Sequence, residues 1–470
     1  MTLNLFLALP IVAGLTGYLM KRKGARGFGV LVTLIQLILI KSLLFGGDIE
    51  ALTFIAPWIP ELGLNWSLGV DGANQLLLLL TPLFTLLAIL SRPTDTPQYP
   101  SFVASLLLLD GFLCGLFLAQ NLGLFYIFFE AMLLPALILI AGWSKKDGHY
   151  TALKFLLYTL VGSLPMLLGV LTLAFTQIAG NSLEFSELTA ISGDRQFYLF
   201  FPFLLAFLVK MPIVPLHGWL PTLYRNAPAS VTVVIAALMS KAGTYGLLKL
   251  GFTVFPLALA QLAPGLSLLA VSSILYGALS ALGSDSVREI LAFSSLSHIA
   301  MIALGLFSFT LNGAAGATLQ MAGHAVATGG LFLVVALMEN RGLPDQLRRF
   351  GGLVKATPKL AVFTLFLALA SLGQPGLGSF PGELYILTGV WPISKTLTVL
   401  AAAGIVLAAG YLLRWYQKLF TGEMGIYNPP EDLTYEESFL LSIPILLSLA
   451  IGFFPSVFLQ SIQGWIERVM

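Results

Sequence analysis

Fourteen times along its 470 residues this chain runs apolar for the length of a bilayer-crossing helix and then stops at a short polar link. A hydrocarbon core takes about 20 residues of helix to cross. The runs lie near 1–20, 27–46, 74–91, 101–120, 122–143, 151–178, 198–221, 231–251, 265–284, 289–308, 312–338, 361–391, 396–415 and 439–460. Lipid offers no partner to a bare backbone N–H or C=O, so runs of this length are confined to helices. The sequence therefore predicts an all-α integral membrane protein with about fourteen transmembrane helices. Only 10% of the residues are charged, against roughly 25% in soluble domains, which leaves little chain for a soluble domain. A net charge of +2 without a basic tail argues against a nucleic-acid partner. Cys114 is the single cysteine, so the chain alone builds no disulfide framework and no thiolate-held cluster, and the residue reads as a buried inert thiol. The first run lacks a basic start and leads into Lys21, Arg22 and Lys23, which predicts a retained span and not a cleaved signal peptide.

Lysine and arginine collect in loops on the cytoplasmic face. Lys21–Arg26, Lys145–Lys146 and the group Arg341, Arg348, Arg349, Lys355 and Lys359 fall on one face of a fourteen-span count, and Asp48, Glu50, Glu61, Glu184, Glu187 and Asp194 on the other. Both termini are then expected on the non-cytoplasmic side.

Ionisable side chains at membrane depth cost roughly 2.5–3.5 kcal/mol each on insertion scales and are functional candidates by default. Those here are Asp110, Glu130, Lys154, Lys210, Lys241, Lys249, Glu383 and Arg414, with His217, His298 and His324 in apolar sequence as well. The competing explanation is structural: such groups pair to hold helices together or snorkel to an interface. It fits Asp110, Lys249 and Arg414, each of which could lie near a helix end. It fits Glu130, Lys210, Lys241 and Glu383 less well, because their apolar flanks are long. A desolvated ammonium tends to release its proton and a nearby carboxylate draws it back, so a Glu–Lys pair on adjacent helices acts as a switch. Glu130 and Lys210 have the chemistry for such a pair, although sequence does not show that they meet.

Two helices are expected to be discontinuous. Pro212 and Pro215 follow Lys210 in the seventh run, and Pro375, Gly376, Gly378, Pro381 and Gly382 precede Glu383 in the twelfth. Unwound backbone at mid-membrane is tolerated where it lines a protein-enclosed cavity, and paired interruptions point to an internally repeated transporter; the alternative at each is a simple proline kink. Lys210 and Glu383 stand 173 positions apart, Lys241 and Arg414 also 173, Lys154 and His324 170, and Glu130 and His298 168. An offset of five helices, being odd, inverts the second unit. The expected division is residues 1–100 for helices one to three, 101–251 for a first five-helix repeat, 265–415 for a second, inverted one, and 416–470 for a loop and the last helix.

The run Lys210–Met211–Pro212–Ile213–Val214–Pro215–Leu216–His217–Gly218–Trp219–Leu220–Pro221 resembles the seventh-helix signature of the antiporter-like membrane subunits of respiratory complex I. Other landmarks are similar too: Leu68–Gly69–Val70–Asp71–Gly72, Phe128–Phe129–Glu130–Ala131, Lys241 with Gly246–Leu247–Leu248, Ala292–Phe293–Ser294–Ser295–Leu296–Ser297–His298, and Gln320–Met321 with His324. Length and the Val70–Asp71–Gly72 element most resemble subunit M, or subunit four, and its counterpart in the photosynthetic enzymes of cyanobacteria and plastids. The resemblance implies that Glu130 and Lys210 are a coupled acid–base pair, Lys241 a central relay and Glu383 the terminal exchange group. It implies bridging roles for His298 and His324, a structural or gating role for His217, and supporting places for Lys154 and Arg414. One departure is the loop Asp285–Ser286–Val287–Arg288–Glu289, where the family usually follows the acidic residue with basic ones.

Four histidines, one cysteine and no nucleotide-binding loop assemble no redox centre. The implied function is proton translocation by a membrane-arm subunit of a quinone-reducing translocase, driven by electron transfer elsewhere. Quinone and iron–sulfur clusters then belong to partner subunits, this chain holding no cofactor and no metal. Its partners are neighbouring antiporter-like and small membrane subunits, with the peripheral redox arm reached indirectly. The expected membrane is a bacterial plasma membrane or a cyanobacterial or plastid thylakoid, with NADH or ferredoxin as donor and ubiquinone, menaquinone or plastoquinone as acceptor. One rival is a subunit of a multisubunit cation/proton antiporter, against which Asp71 and the subunit M-like spacing weigh. A second is a scaffold subunit that has lost transport, against which the retained intramembrane charges weigh.

Overall fold

A computed structural model describes residues 2–45, 52–144, 147–176, 182–188, 191, 193–425 and 430–470, side chains 43–45 and 194 excepted. Lys145–Lys146, Asp48, Glu50 and the Asp194 side chain, used above to orient the chain, lie outside what is described. All fourteen apolar runs fall on helices: α1 Thr2–Gly17, α2 Arg22–Phe45, α3 Gln75–Ser91, α4 Tyr99–Leu118, α5 Leu122–Ala131 with α6 Leu133–Trp143, α7 Gly148–Phe175, α8 Gly193–Lys210 with α9 Trp219–Asn226, α10 Ala229–Ala237 with α11 Ala242–Gly246, α12 Pro256–Gly283, α13 Val287–Phe307, α14 Leu311–Asn340, α15 Pro358–Ser371 with α16 Ser379–Val390, α17 Lys395–Phe420 and α18 Tyr435–Phe453. Among the described residues ten spans are long and apolar enough to cross a membrane, and α1, α3 and α15 are shorter apolar helices.

The seventh and twelfth spans are broken as expected. Pro212 cannot donate, and Ile213 N reaches back to Leu208 O, which leaves the carbonyl of Val209 to the Trp219 indole N–H at 2.9 Å. Trp219 thus spans the break. Val214 N donates to Ser273 Oγ at 3.1 Å, so the unwound stretch is satisfied by protein. In the twelfth span Gly373 takes the left-handed φ of +72°, and Gly378 N donates to Ser448 Oγ at 2.9 Å.

Two further interruptions lie outside the expectation. The fifth span turns at Met132, three residues before Pro135, whose missing N–H leaves Ala131 at the break. The eighth tightens into a 3-10 turn at Met239–Lys241 and widens into a π-helical turn at Leu247–Gly251. No proline or glycine announces the tightening. The Ser240 hydroxyl and the Lys241 ammonium both donate to Ala236 O, at 2.7 and 2.8 Å, replacing what the helix ladder gives up.

Two expectations are corrected. The last run is not one helix over 439–460: Pro455 starts a new helix, α19 Pro455–Val469, which buries Leu459, Ile462, Trp465 and Ile466 against the bundle. The chain also carries an antiparallel hairpin, β1 Thr53–Ile59 with β2 Leu64–Gly69, whose exposure alternates from Thr53 to Pro57, as a half-buried strand requires, and breaks at the irregularity by Trp58.

The core is built inside out for lipid. α14 and the α10–α11 span are wholly buried and α13 and α4 nearly so, whereas α2, α17 and α18 bury about a third of their residues and α7 and α12 somewhat more. α14 packs on α16, α13, α10 and α3. One contiguous apolar core runs through both halves of the chain.

Candidate functional site

Buried ionisable groups line up across this core. On α14, Gly316 and Gly323 admit the backbone of the twelfth span so closely that a Cβ would come within 2.6 Å of Ile386 N and 2.5 Å of Gly378 O. Small residues at that seam let two helices meet without hydrophobic drive, and the approach sets Glu383 of α16 beside α14. A Cβ at Gly373 would overlap the Glu383 carboxylate, which therefore reaches back over the break. Glu383 Oε1 accepts from Gln320 Nε2 at 3.0 Å and from His298 Nδ1 at 3.1 Å. The His298 ring stands 5.8 Å, centre to centre, from that of His324, and each has an Nε2 without a hydrogen-bond partner among the described residues. His324 Nδ1 lies 2.7 Å from Lys241 Nζ.

Lys241, His324, His298 and Glu383 thus form one series from the middle of the eighth span to the twelfth, each 5% exposed or less. An imidazole accepts a proton on one nitrogen and releases one from the other. The series is chemically suited to hand protons along, with Gln320 fixing the carboxylate at its end.

Glu130 and Lys210 are placed near each other, on α5 and at the end of α8, but make no ion pair. Lys210 Nζ has no hydrogen bond among the described residues and lies over Phe129 and Phe155, 5.2 and 5.4 Å from the ring centres. The charge of Glu130 acts on it from outside hydrogen-bond range, and Glu130 Oε1 is itself unpartnered. Opposite charges held apart in low dielectric attract strongly, on the order of 4 kcal/mol at 4 Å for an effective dielectric of 20. Gly243 packs against Met211 N and Phe207 O, which sets the end of α8 against the turn carrying Lys241.

The remaining candidates lie around this axis. Lys154 donates to Thr222 Oγ1 at 2.8 Å, tying α7 to the second half of the broken seventh span. His217 sits in that break with its ring edge-on to Tyr276 at 4.8 Å. Arg414 is exposed on α17 and donates to the carbonyl of Leu282, touching none of the series. Of the numerically paired residues, Lys210 ends the half-helix before its break, whereas Glu383 lies in the half-helix after its own.

Two buried groups have the structural partners their places in the sequence allowed. Lys249 is ion-paired with Asp71 at 2.6 Å, and Asp110 accepts from Thr85 Oγ1 at 3.0 Å with no cation beside it among the described residues. Gln320 is the site residue that charge alone did not single out. A lone amide in the apolar middle of α14, four residues before His324, is the signal for it. In the loop 285–289, Asp285 pairs with Arg348 at 3.5 Å and Glu289 with Arg225 at 2.8 Å, which offsets its acidic charge, while its basic residue, Arg288, pairs with Glu339 at 2.6 Å.

Residues 119–408, which carry every member of the series, match the family model described as NADH:quinone oxidoreductase/Mrp antiporter, transmembrane. The chain is 34% identical over 419 residues to NADH-quinone oxidoreductase subunit M of Rickettsia conorii, covering 88% of this chain and 85% of that protein. It is 33% identical over 430 residues to subunit M of Escherichia coli K12, covering 88% and 84%. Respiratory complex I from Thermus thermophilus contains a chain that superposes with a TM-score of 0.93 at 33% identity, over 100% of this chain and 99% of that one. A chain of the Mrp complex from Dietzia shares the fold at a TM-score of 0.88 and 21% identity, over 99% and 97%. The seventh-span signature, the buried lysines and these matches agree: the chain belongs to the NADH:quinone oxidoreductase/Mrp antiporter transmembrane family, alongside its subunit M proteins.

Proposed function

We propose that the chain is a proton-translocating membrane-arm subunit of an NADH:quinone oxidoreductase-type complex, in which electron transfer to quinone in partner subunits drives protons through this one. The observation that carries the reading is the buried series Lys241, His324, His298 and Glu383, hydrogen-bonded at each end, with the two imidazole rings 5.8 Å apart, centre to centre, at its middle. In this reading Glu130 and Lys210 are the switch. When a proton on Glu130 removes its negative charge, the attraction on Lys210 falls and its proton is driven toward Lys241. Lys241 passes a proton to His324 Nδ1, His324 releases one from Nε2 toward His298, and Glu383 exchanges it at the far end. Lys154 and His217 support the broken seventh span, and residues 101–251 and 265–415 act as two halves of the path.

Quinone and iron–sulfur clusters belong, on this proposal, to partner subunits, and this chain contributes no cofactor site. Its membrane is a bacterial plasma membrane or a thylakoid, with both termini on the non-cytoplasmic side. The names of the relatives and the 85% coverage of subunit M support a complex with a redox arm. Tagging the C-terminus, extracting in mild detergent and identifying co-purifying chains by mass spectrometry tests it. Iron–sulfur and quinone-reducing subunits in the same particle are expected. A particle holding only small antiporter subunits would replace the proposal with cation/proton exchange.

A further inference from the structure

The Val70–Asp71–Gly72 element has no part in the path above, yet it meets a second buried lysine. Lys249 Nζ lies 2.6 Å from Asp71 Oδ2 and 3.2 Å from Gln120 Oε1, with Lys249 3% and Asp71 15% exposed at the side chain. An open pocket of about 350 Å³ borders the pair, lined by Ser67, Asp71, Gln120, Glu184, Phe185 and Arg468. It lies on the face of the hairpin and of Glu184, away from the basic loops. Helix α19 covers the pair from the side: Trp465 stands 5.1 Å from Lys249 Nζ, Gln75 donates to Ser461, and a Cβ on Gly72 would overlap the Ser461 carbonyl.

Inward, Tyr245 stands between the pair and Lys241 along the eighth span. Lys241, Tyr245 and Lys249 recur every four residues, about one helical turn each. Tyr245 is fully buried and its hydroxyl donates to Phe117 O at 2.7 Å, the same carbonyl that accepts from Asn74 Nδ2 at 2.8 Å. Asn74 Oδ1 in turn accepts from the backbone N of Asp71 at 2.9 Å. Lys249 sits in the π-helical turn Leu247–Gly251, an irregularity common where a helix carries function.

We propose that Asp71 and Lys249 are a second proton-exchange pair, connecting Lys241 to the pocket on the face opposite the basic loops beneath α19. This rests on the proton-translocating reading above and adds a branch to it. A proton arriving at Lys241 adds positive charge two turns from Lys249. The N–H bond of Lys249 breaks and an O–H bond forms at Asp71 Oδ2, leaving amine and carboxylic acid, both neutral. Asp71 then releases its proton to the pocket, and the amine of Lys249 takes up a proton that the Lys241 ammonium gives up, leaving Lys241 a neutral amine, so one proton crosses and Asp71 and Lys249 return to their charged forms.

A purely structural clamp would need only the ion pair, and arginine keeps that pair while holding its proton at every accessible pH. The test uses the whole complex in inverted membrane vesicles with Lys249→Arg, the neutral pair Asp71→Asn/Lys249→Gln, and Lys241→Met as control, reading protons moved per electron and assembly on native gels. The expected result is an assembled Lys249→Arg complex whose proton-to-electron ratio is lower than that of the unmodified complex, with the neutral pair lowered as well. An unchanged ratio in Lys249→Arg beside a lowered one in Lys241→Met overturns the pair and leaves the central series standing. An unchanged ratio in Lys241→Met overturns the proton-translocating reading and this branch with it. If Lys249→Arg does not assemble, the ratio of the neutral pair decides in the same way, and failure of both to assemble assigns the pair to clamping α19 and overturns the proposal.

Discussion

Lys210 is an ammonium with no hydrogen bond at 2% exposure, held over two phenyl rings. Contact with rings returns about 2 kcal/mol when desolvated, less than the roughly 2.5–3.5 kcal/mol of placing the charge in the membrane. Lys210→Met keeps the shape and removes the charge. The variant is expected to unfold in detergent at the same temperature as the parent or higher while proton movement per electron falls; a loss of stability with proton movement intact would mark Lys210 as a structural cation. Glu383→Leu is expected to act differently, because it removes the carboxylate that takes bonds from both Gln320 and His298. Removing one partner of a buried pair leaves groups unsatisfied at about 1–3 kcal/mol, so the melting temperature should fall along with the proton-to-electron ratio. At this scale the sequence was most legible. Charge at membrane depth picked out Glu130, Lys210, Lys241 and Glu383 without help from the fold. Which of them meet was not legible, because Glu130 and Lys210 face each other without touching, and Lys241 finds its partner on a helix more than eighty residues away.

Broken helices and glycine seams decide whether those side chains meet. Gly323 faces the Gly378 carbonyl with no room for a methyl group, whereas Gly464 on α19 has open space around its Cβ position. Gly323→Ala is therefore expected to push α16 off α14 and cost about 1–3 kcal/mol, read as a lower melting temperature of the detergent-extracted complex. Gly464→Ala should be neutral or gain about 0.5–1 kcal/mol from helix propensity alone; equal effects at the two sites would refute the seam. Prolines and glycines announced the breaks in the seventh and twelfth spans. Nothing comparable marked the eighth, where the side chains of Ser240 and Lys241 replace the lost backbone bonds. The same limit explains Pro455: in an apolar run a proline reads equally as a kink or a helix start, and only the packing of Trp465 and Ile462 against the bundle shows that it starts α19. The hairpin was hidden because its strands are only seven and six residues long.

Across the whole molecule, charge is sorted by face. Arg22 donates to Thr94 O, Arg26 to Leu90 O and Asn340 to Ser91 O, and Arg341 pairs with Glu437, so the basic loops and the start of α18 share one end of the bundle. At the other end Trp66 of the hairpin donates to Asn4 and Gln75 to Ser461, which places both chain termini together, away from Arg22, Arg26 and Arg341. Translocated loops avoid lysine and arginine, so that end should face the non-cytoplasmic side. The prediction can be made with single cysteines after Cys114→Ser, a change at a fully buried thiol. Tyr435→Cys reports the basic end and Met470→Cys the opposite end, both being exposed positions. A membrane-impermeant maleimide added to intact spheroplasts should label Met470→Cys and spare Tyr435→Cys, and inverted vesicles should reverse the pattern. Labelling of Tyr435→Cys from outside would turn the molecule over, and with it the direction in which the pocket beside Asp71 opens.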